Sequence, residues 1–379
     1  MAIYIGICCL LYILFGVCLL IGWQRIQEYD IDPSYMPDTS VAVILPVRNE
    51  IDKIESVLHD LLIQEYPQEL FTVYLVDDAS TDGTTQVLQN WAMRYPDRFR
   101  MVCIQPAYAG WKGKKKQIAS ALAQSASALI LTTDADCRHL PAWIKTMVYT
   151  QLKTQASFVS GPVRMQGEYT FWNKFQWIEF ASLVGSGASA IGLQVPLMCN
   201  GANILYTREA YNAVGGFEGN TAVASGDDEF LMHKLVAARG AGSVVFCKQQ
   251  HAVVSTGSAT SWQEFRNQRK RWASKWEHYA LWYVQAVAIW IFVFHFTLLV
   301  CSALALIFVT AWYWAVAMWA TKIIFDYFYL KSVARFLSID FKKSTFMYAV
   351  LIYPAYVIYF GLMARFGTYT WKERIEKHS

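Results

Sequence analysis

Uninterrupted apolar residues occupy the two ends of the chain, while the middle alternates short apolar runs with mixed segments. Ala2–Trp23 carries no charge, and as a helix it reaches about 33 Å, enough to cross a bilayer core. Arg25 is the first charge after it and none precedes it, which favours an outside N-terminus and a cytosolic continuation. No small-x-small cleavage site follows, and Val17 ahead of Cys18 does not suit a lipoprotein, so a removed signal peptide is not expected. Leu281–Phe325 is apolar with Lys322 as its only charge. Its length predicts two helices, turning near Thr310–Trp314 where tryptophans suit an interfacial belt. Lys331, Arg335, Lys342 and Lys343 then read as a short basic cytosolic loop, and Thr345–Leu362 as a last span interrupted by Pro354. The tail holds Arg365, Lys372, Arg374 and Lys377. A full crossing would export those charges against the positive-inside rule, so either the last segment is re-entrant or interfacial, or the tail is exported anyway. Four spans are expected: one over 1–24, and the rest among two to three helices of a membrane region over 279–379.

Between them, 25–39 reads as a polar, proline-containing linker and 40–278 as a cytosolic domain. Val41–Val47 is a strand-type run, and Asn49 can cap a helix striped by Ile51, Ile54, Val57, Leu58, Leu61 and Leu62. A strand over Phe71–Val76 and a helix with Val87, Leu88, Trp91 and Tyr95 on one face follow. Next come a strand Arg100–Ile104, a helix Lys114–Gln124, a strand Ala128–Thr133 and a helix from Pro141. Alternating strands and helices predict an α/β fold with a mostly parallel sheet. Ligands in such sheets bind beyond the C-terminal strand ends. Glu168–Pro196 is rich in aromatic residues without one clean face, which leaves core packing and an amphipathic membrane-surface helix both open. Gly185, Gly187 and Gly192 suggest a mobile or closely packed loop after it.

Composition agrees with two solvents. Of 379 residues 55% are hydrophobic and 16% charged, against about 45–50% and about 25% in soluble domains. Intrinsic disorder is excluded, and 8 cysteines in so long a chain exclude a small disulfide scaffold. They show no C-x-x-C spacing, so reduced structural thiols are expected and a zinc site is not. A net charge of +4 is too weak to argue for nucleic acid.

The few acids gather at strand ends. Pro46-Val47-Arg48-Asn49-Glu50 follows the first strand, Asp77-Asp78-Ala79-Ser80-Thr81-Asp82-Gly83 the second, and Asp134-Ala135-Asp136 the fourth. Asn49, Asp78 and Asp82 have an ordinary reading as loop and cap residues. Two carboxylates flanking one residue at a buried strand end are harder to explain without a cation, and a divalent metal suits them. The Gly110–Lys116 segment, ahead of a helix, suits a phosphate group or is a solvated basic loop, and it lacks P-loop spacing. Gly226-Asp227-Asp228-Glu229 opens a helix, where acids favour the dipole but one can also be placed for proton transfer. Gln268-Arg269-Lys270-Arg271-Trp272 precedes the C-terminal spans and also reads as a juxtamembrane basic segment.

In this order, PVRNE, VDDASTDGT, TDAD, CNGANILYTREAYNAVGGF, GDDEFL and QRKRW resemble a membrane-bound family 2 glycosyltransferase over about residues 40–275. The resemblance implies a nucleotide-sugar-binding GT-A (Rossmann-like) domain. It implies that Asp78 binds the nucleobase, usually uracil of a UDP-sugar, with Pro46 and Glu50 lining that pocket. Asp136 would be the main ligand of Mg²⁺ or Mn²⁺, and Asp134 beside it would contact the metal, ribose or sugar. Asp228 would be the catalytic base, with Asp227 standing where the family usually has Glu. Gln268, Arg271 and Trp272 match Q-x-x-R-W, which lines the acceptor site and contacts the diphosphate, and Lys112 and Lys114 match a less regular basic region near the diphosphate.

Anchors at both ends imply a bilayer partner and a lipid or lipid-linked glycan acceptor, in a plasma (bacterial inner) membrane. Q-x-x-R-W also resembles processive cellulose and hyaluronan synthases as well as ceramide glucosyltransferases; about four spans favour single addition to a lipid. A non-catalytic nucleotide-sugar-binding membrane protein would be expected to lack the base or a metal ligand, and Asp134, Asp136 and Asp228 are present. A nucleic-acid partner is not expected, since the Lys112–Lys116 cluster lacks interleaved aromatic residues on a shared surface.

Overall fold

The computed structural model describes residues 2–273, 275, 279, 281–363, 369–371 and 374–376. The chain divides into two compact units, one of Ile26–Gln166 and Gln194–Gly257, the other of Met1–Arg25, Gly167–Leu193 and Ser258–Ser379.

The first unit is α/β. Its elements, numbered along the whole chain, are β1 (Val41–Val47), α2 (Ile54–Leu62), β2 (Phe71–Asp77), α3 (Thr84–Arg94), β3 (Phe99–Met101), α4 (Lys115–Leu122), β4 (Leu129–Thr132), β5 (Cys137–Arg138), α5 (Trp143–Thr154), β6 (Phe158–Ser160), β7 (Val163–Gln166), β8 (Ile204–Thr207), α7 (Arg208–Ala213), α8 (Asp227–Arg239), β9 (Val244–Phe246) and β10 (Val254–Gly257). The main sheet runs β3-β2-β1-β4-β8-β6-β9, with β5-β10-β7 as a small second sheet. β8 is antiparallel to both its neighbours and the other pairings of the main sheet are parallel, so the mostly parallel α/β expectation holds. All of β1 is buried. The chain steps outward from β1 to β2 and β3, then crosses back to β4 on the other side, which makes the β1/β4 junction a topological switch point. β4 ends at Thr132 opposite Ile44. The missing N–H of Pro46 therefore faces a side where the ladder has stopped, which is how proline sits in a central strand.

Two boundaries differ from expectation. β3 is shorter and earlier than Arg100–Ile104. The helix after β1 starts at Ile54 with no side-chain cap, because Asn49 has φ +49°, outside the extended region a capping residue needs. The Asn49 side chain instead accepts the Thr81 N–H at 2.8 Å, lacing two loops.

The second unit comprises α1 (Ala2–Arg25), α6 (Phe171–Gly192), α9 (Trp262–Ala273), α10 (Trp282–Ala305), α11 (Val309–Phe336), α12 (Lys343–Met363) and a hairpin of β11 (Tyr369–Trp371) and β12 (Arg374–Glu376). Among the described residues, α1, α10 and α12 are long and apolar enough to cross a membrane. α11 carries Lys322, Asp326, Lys331 and Arg335 and falls outside that set. Lys322 is 1% exposed, ion-paired one turn along to Asp326, whose other oxygen accepts the Tyr12 hydroxyl at 2.7 Å.

The hairpin turn lies at 306–308, so Trp312 and Trp314 are in α11 and not at the turn as expected. Lys331 and Arg335 belong to the end of α11, not to a loop. α12 runs through Pro354 without a break. Gly185, Gly187 and Gly192 fall inside α6, not in a loop. Close packing explains Gly185, where a Cβ would come within 2.7 Å of Val333 and 2.9 Å of Tyr329 on α11. The expectations about Arg365, Lys372 and Lys377 lie outside the described residues.

Candidate functional site

The C-terminal ends of β1, β2 and β4 bring together the acids expected from sequence. After β1 and β2 the two loops are tied by short-range polar contacts. Arg48 donates to the carbonyls of Asp78 and Ala79, the Ser80 hydroxyl accepts the Asn49 N–H, and the Thr84 hydroxyl accepts the Glu50 N–H. Asp82 accepts from Thr84 and Ile51 in the loop ahead of α3, whose capping position is taken by Gly83. Gln117, fully buried on α4, donates to the carbonyls of Val47 and Val76 and so pins the two strand ends together. Pro46, Glu50 and Asp78 are thereby presented from one cluster of strand end and loops. Asp78 is 4% exposed and accepts from Lys116 Nζ at 2.6 Å.

The basic segment is not a solvated loop. Lys114 pairs with Asp134, Lys116 with Asp78, and Lys115, fully buried, donates to the carbonyls of Val223 (2.7 Å) and Ser225 (3.0 Å). The Lys112 side chain is exposed, while its backbone N–H reaches the Thr221 carbonyl at 2.9 Å. Gly113 has φ +64° and a Cβ there would run into the Ala224 carbonyl, so only glycine fits this close approach. Residues 112–115 thus clasp residues 221–225, the stretch that leads into α8.

At the start of α8, Gly226 (φ +78°) sets up Asp227 and Asp228. Asp228 Oδ2 accepts the Gly201 N–H at 2.7 Å and its Oδ1 accepts the Glu229 N–H at 2.8 Å. Burial pushes the Asp227 carboxyl up, the Asp228 carboxylate adds to this, and Lys114 and Lys115 oppose it. The Gly201 segment is itself gripped from β4: the Thr132 hydroxyl donates to the Gly201 carbonyl (3.3 Å) and that of Thr133 to the Ala202 carbonyl (2.9 Å). Asn203, fully buried, donates to the carbonyls of Pro162 and Ala252 and accepts from Trp143. The loop carrying the Asp-x-Asp and the helix carrying Asp228 are therefore connected through two threonines and one glycine amide. His139 Nε2 lies 2.7 Å from the Thr133 hydroxyl, and burial pushes the imidazole down to about 4. Because the Thr133 hydroxyl is committed to Ala202, the neutral ring donates from Nε2.

Asp136 contacts Thr256 Oγ1 at 3.3 Å and Cys137 Sγ at 3.8 Å, with no ion pair among the described residues. Nor do the described residues contain a cage of three or more His, Cys, Asp or Glu side chains.

Gln268, Arg271 and Trp272 lie on α9, in the helical unit. Sequence reasoning gave no individual role to Gly201, Thr132, Thr133, Lys115 or Lys116, although the last two lie in the basic segment that it singled out. The run of three lysines ahead of a helix was the available signal for the last two.

A model of glycosyl transferase family 21 matches residues 3–365. Curated relatives include the glycosyltransferase AglE of Haloferax volcanii, 28% identical over 35% of this chain and 41% of the relative. An undecaprenyl-phosphate 4-deoxy-4-formamido-L-arabinose transferase of Pseudomonas syringae pv. syringae is 29% identical over 37% of this chain and 40% of its own. A beta-monoglucosyldiacylglycerol synthase of Synechocystis is 24% identical over 53% and 42%. The chain thus spans about two-fifths of the length of these relatives. Among solved structures, a mannosyltransferase from Pyrobaculum calidifontis in complex with GDP-Man and Mn²⁺ superposes with a TM-score of 0.59 at 19% identity, over 95% of this chain and 98% of that one. That likeness concerns the fold.

Proposed function

The chain belongs to glycosyl transferase family 21, and on that premise we propose an inverting transfer of one sugar from a UDP-sugar to a lipid or lipid-linked glycan. The observation that carries this reading is Asp228, fixed by the Gly201 N–H at the mouth of the β1/β4 switch point with the Lys114–Asp134 pair on the neighbouring strand end. A carboxylate held this way can take the proton of an acceptor hydroxyl as its oxygen attacks the anomeric carbon. The anomeric C–O bond to the diphosphate breaks as the new one forms, and the electron pair leaves with the phosphate oxygen. Attack opposite the leaving group inverts the centre without an enzyme-bound sugar. Asp78, with Pro46 and Glu50, holds the nucleobase, and Lys112 and Lys114 stand near the diphosphate. Asp136, with Asp134 beside it, would hold Mg²⁺ or Mn²⁺, which when bound supplies positive charge to the leaving diphosphate.

Two relatives are named for lipids, an undecaprenyl phosphate and a glucosyldiacylglycerol, which supports a lipid acceptor. The uncharged run of α1 followed by Arg25, together with α10 and α12, supports an integral protein of a plasma or inner membrane with a cytosolic α/β unit. Incubating membranes containing the protein with labelled nucleotide sugars and extracting into organic solvent tests this. A lipid carrying a single added sugar from a UDP-sugar is expected. A ladder of long polysaccharide would overturn the acceptor, and transfer only from another nucleotide would overturn the donor.

A further inference from the structure

Arg269, a spacer residue within Gln268-Arg269-Lys270-Arg271-Trp272, has no role in the reading above. Its side chain is 1% exposed and pairs with Glu179 of α6, which is fully buried. The other oxygen of Glu179 accepts the Tyr356 hydroxyl of α12 at 2.7 Å. Arg269 also donates to the side-chain oxygen of Gln268. Its guanidinium lies 4.4 Å from the ring centroid of Trp272 and 4.3 Å from that of Phe265. One planar cation thus touches both outer members of the motif while being held by Glu179 of α6, which is itself held by Tyr356 of α12.

A buried ion pair is a poor source of stability, because apolar residues of the same size often hold helices as well or better. What it supplies is direction: a rigid planar guanidinium whose two terminal nitrogens bond different partners, Glu179 on α6 and the Gln268 side chain, can be held in only one orientation. Here the oriented object is the surface of α9 that presents Gln268 and Trp272. The Nε of Arg269 is buried without a hydrogen-bond partner among the described residues, so the arrangement is not the least costly clamp available.

We propose that Arg269 is a positioning residue for the acceptor, with Glu179 and Tyr356 as its anchor. This rests on reading Gln268 and Trp272 as acceptor-site residues. Arg269→Lys keeps the charge and loses the fork; Tyr356→Phe removes one bond to Glu179 and keeps the packing.

Steady-state transfer by full-length protein in detergent, with donor and acceptor varied separately, provides the test. Raised acceptor KM, by about tenfold in Arg269→Lys and less in Tyr356→Phe, with donor KM unchanged, is expected. Unchanged acceptor KM in active Arg269→Lys, or donor and acceptor constants worsening together, would overturn the proposal while leaving the transferase reading intact. Amide hydrogen exchange of residues 262–273 tests the anchor without turnover. Faster exchange in Tyr356→Phe is expected, and unchanged exchange overturns the anchor whatever the substrate is.

Discussion

The Gly201 amide donates to Asp228 Oδ2 at 2.7 Å, and a Cβ on Gly201 would stand 3.3 Å from that same oxygen. That hydrogen bond, with the Glu229 N–H on Oδ1 at 2.8 Å, fixes the direction in which the Asp228 carboxylate faces. Asp228→Asn keeps the shape and loses the proton acceptor. Transfer should fall by at least about 100-fold while nucleotide binding persists. Parallel assays of sugar transfer and UDP binding check this, and near-normal transfer would remove Asp228 from the role.

Asp136→Ala tests the other half of the chemistry. Its carboxylate lacks an ion-pair partner among the described residues, so its removal should cost little stability. UDP affinity titrated with Mn²⁺ should lose its metal dependence. A metal titration indistinguishable from wild type would refute the assignment.

His139 gives a pH signature. Burial holds its folded pKa at about 4, below the ordinary value of about 6.5 in the unfolded chain. Between these values the unfolded state binds more protons, so stability rises with pH. The contribution is complete above about pH 6.5 and is lost as pH falls toward about 4. Melting temperatures of wild type and His139→Gln should diverge least near pH 5 and most near pH 7. A constant difference across that range would count against the buried neutral ring.

Lys322 in α11 depends on Asp326 and has almost no access to water. Asp326→Ala strands that cation and should cost about 3 kcal/mol or more, read as a lower melting temperature in detergent. Replacing both residues with leucine should recover most of it. Failure of the double variant to recover would mean that the cluster does more than neutralise one helix.

The first four strands and the placement of acids at their ends were legible in the sequence because a buried parallel sheet forces apolar runs and leaves polar residues only at the ends, whereas the short strands after Pro141 and the antiparallel β8 were not. Asp78, Asp134 and Asp136 stood out for that reason, and Asp228 because three adjacent acids open a helix. The helical unit was harder to read. α6 looked like a helix followed by a loop because glycine usually marks a turn, whereas Gly185 is in the helix to let α11 approach. The hairpin turn was misplaced because aromatic residues near an apolar end look alike on either side of it. Asn49 carried the composition of a cap, but its left-handed backbone depends on contacts with Ser80 and Thr81, which lie some thirty residues away in the chain. Gly201 lay within a motif but gave no signal of its own role, which exists only once Asp228 arrives beside it.

Lys114, Lys115 and Lys116 stand side by side at the start of α4, where successive side chains point about 100° apart. Each charge has its own address: Asp134, the carbonyls of Val223 and Ser225, and Asp78. Three identical letters therefore carry three different instructions, and a count of positive charge would miss all of them. Swapping any one for arginine conserves the sum and changes the fit, most severely at Lys115, which is fully buried and bonded to two backbone carbonyls.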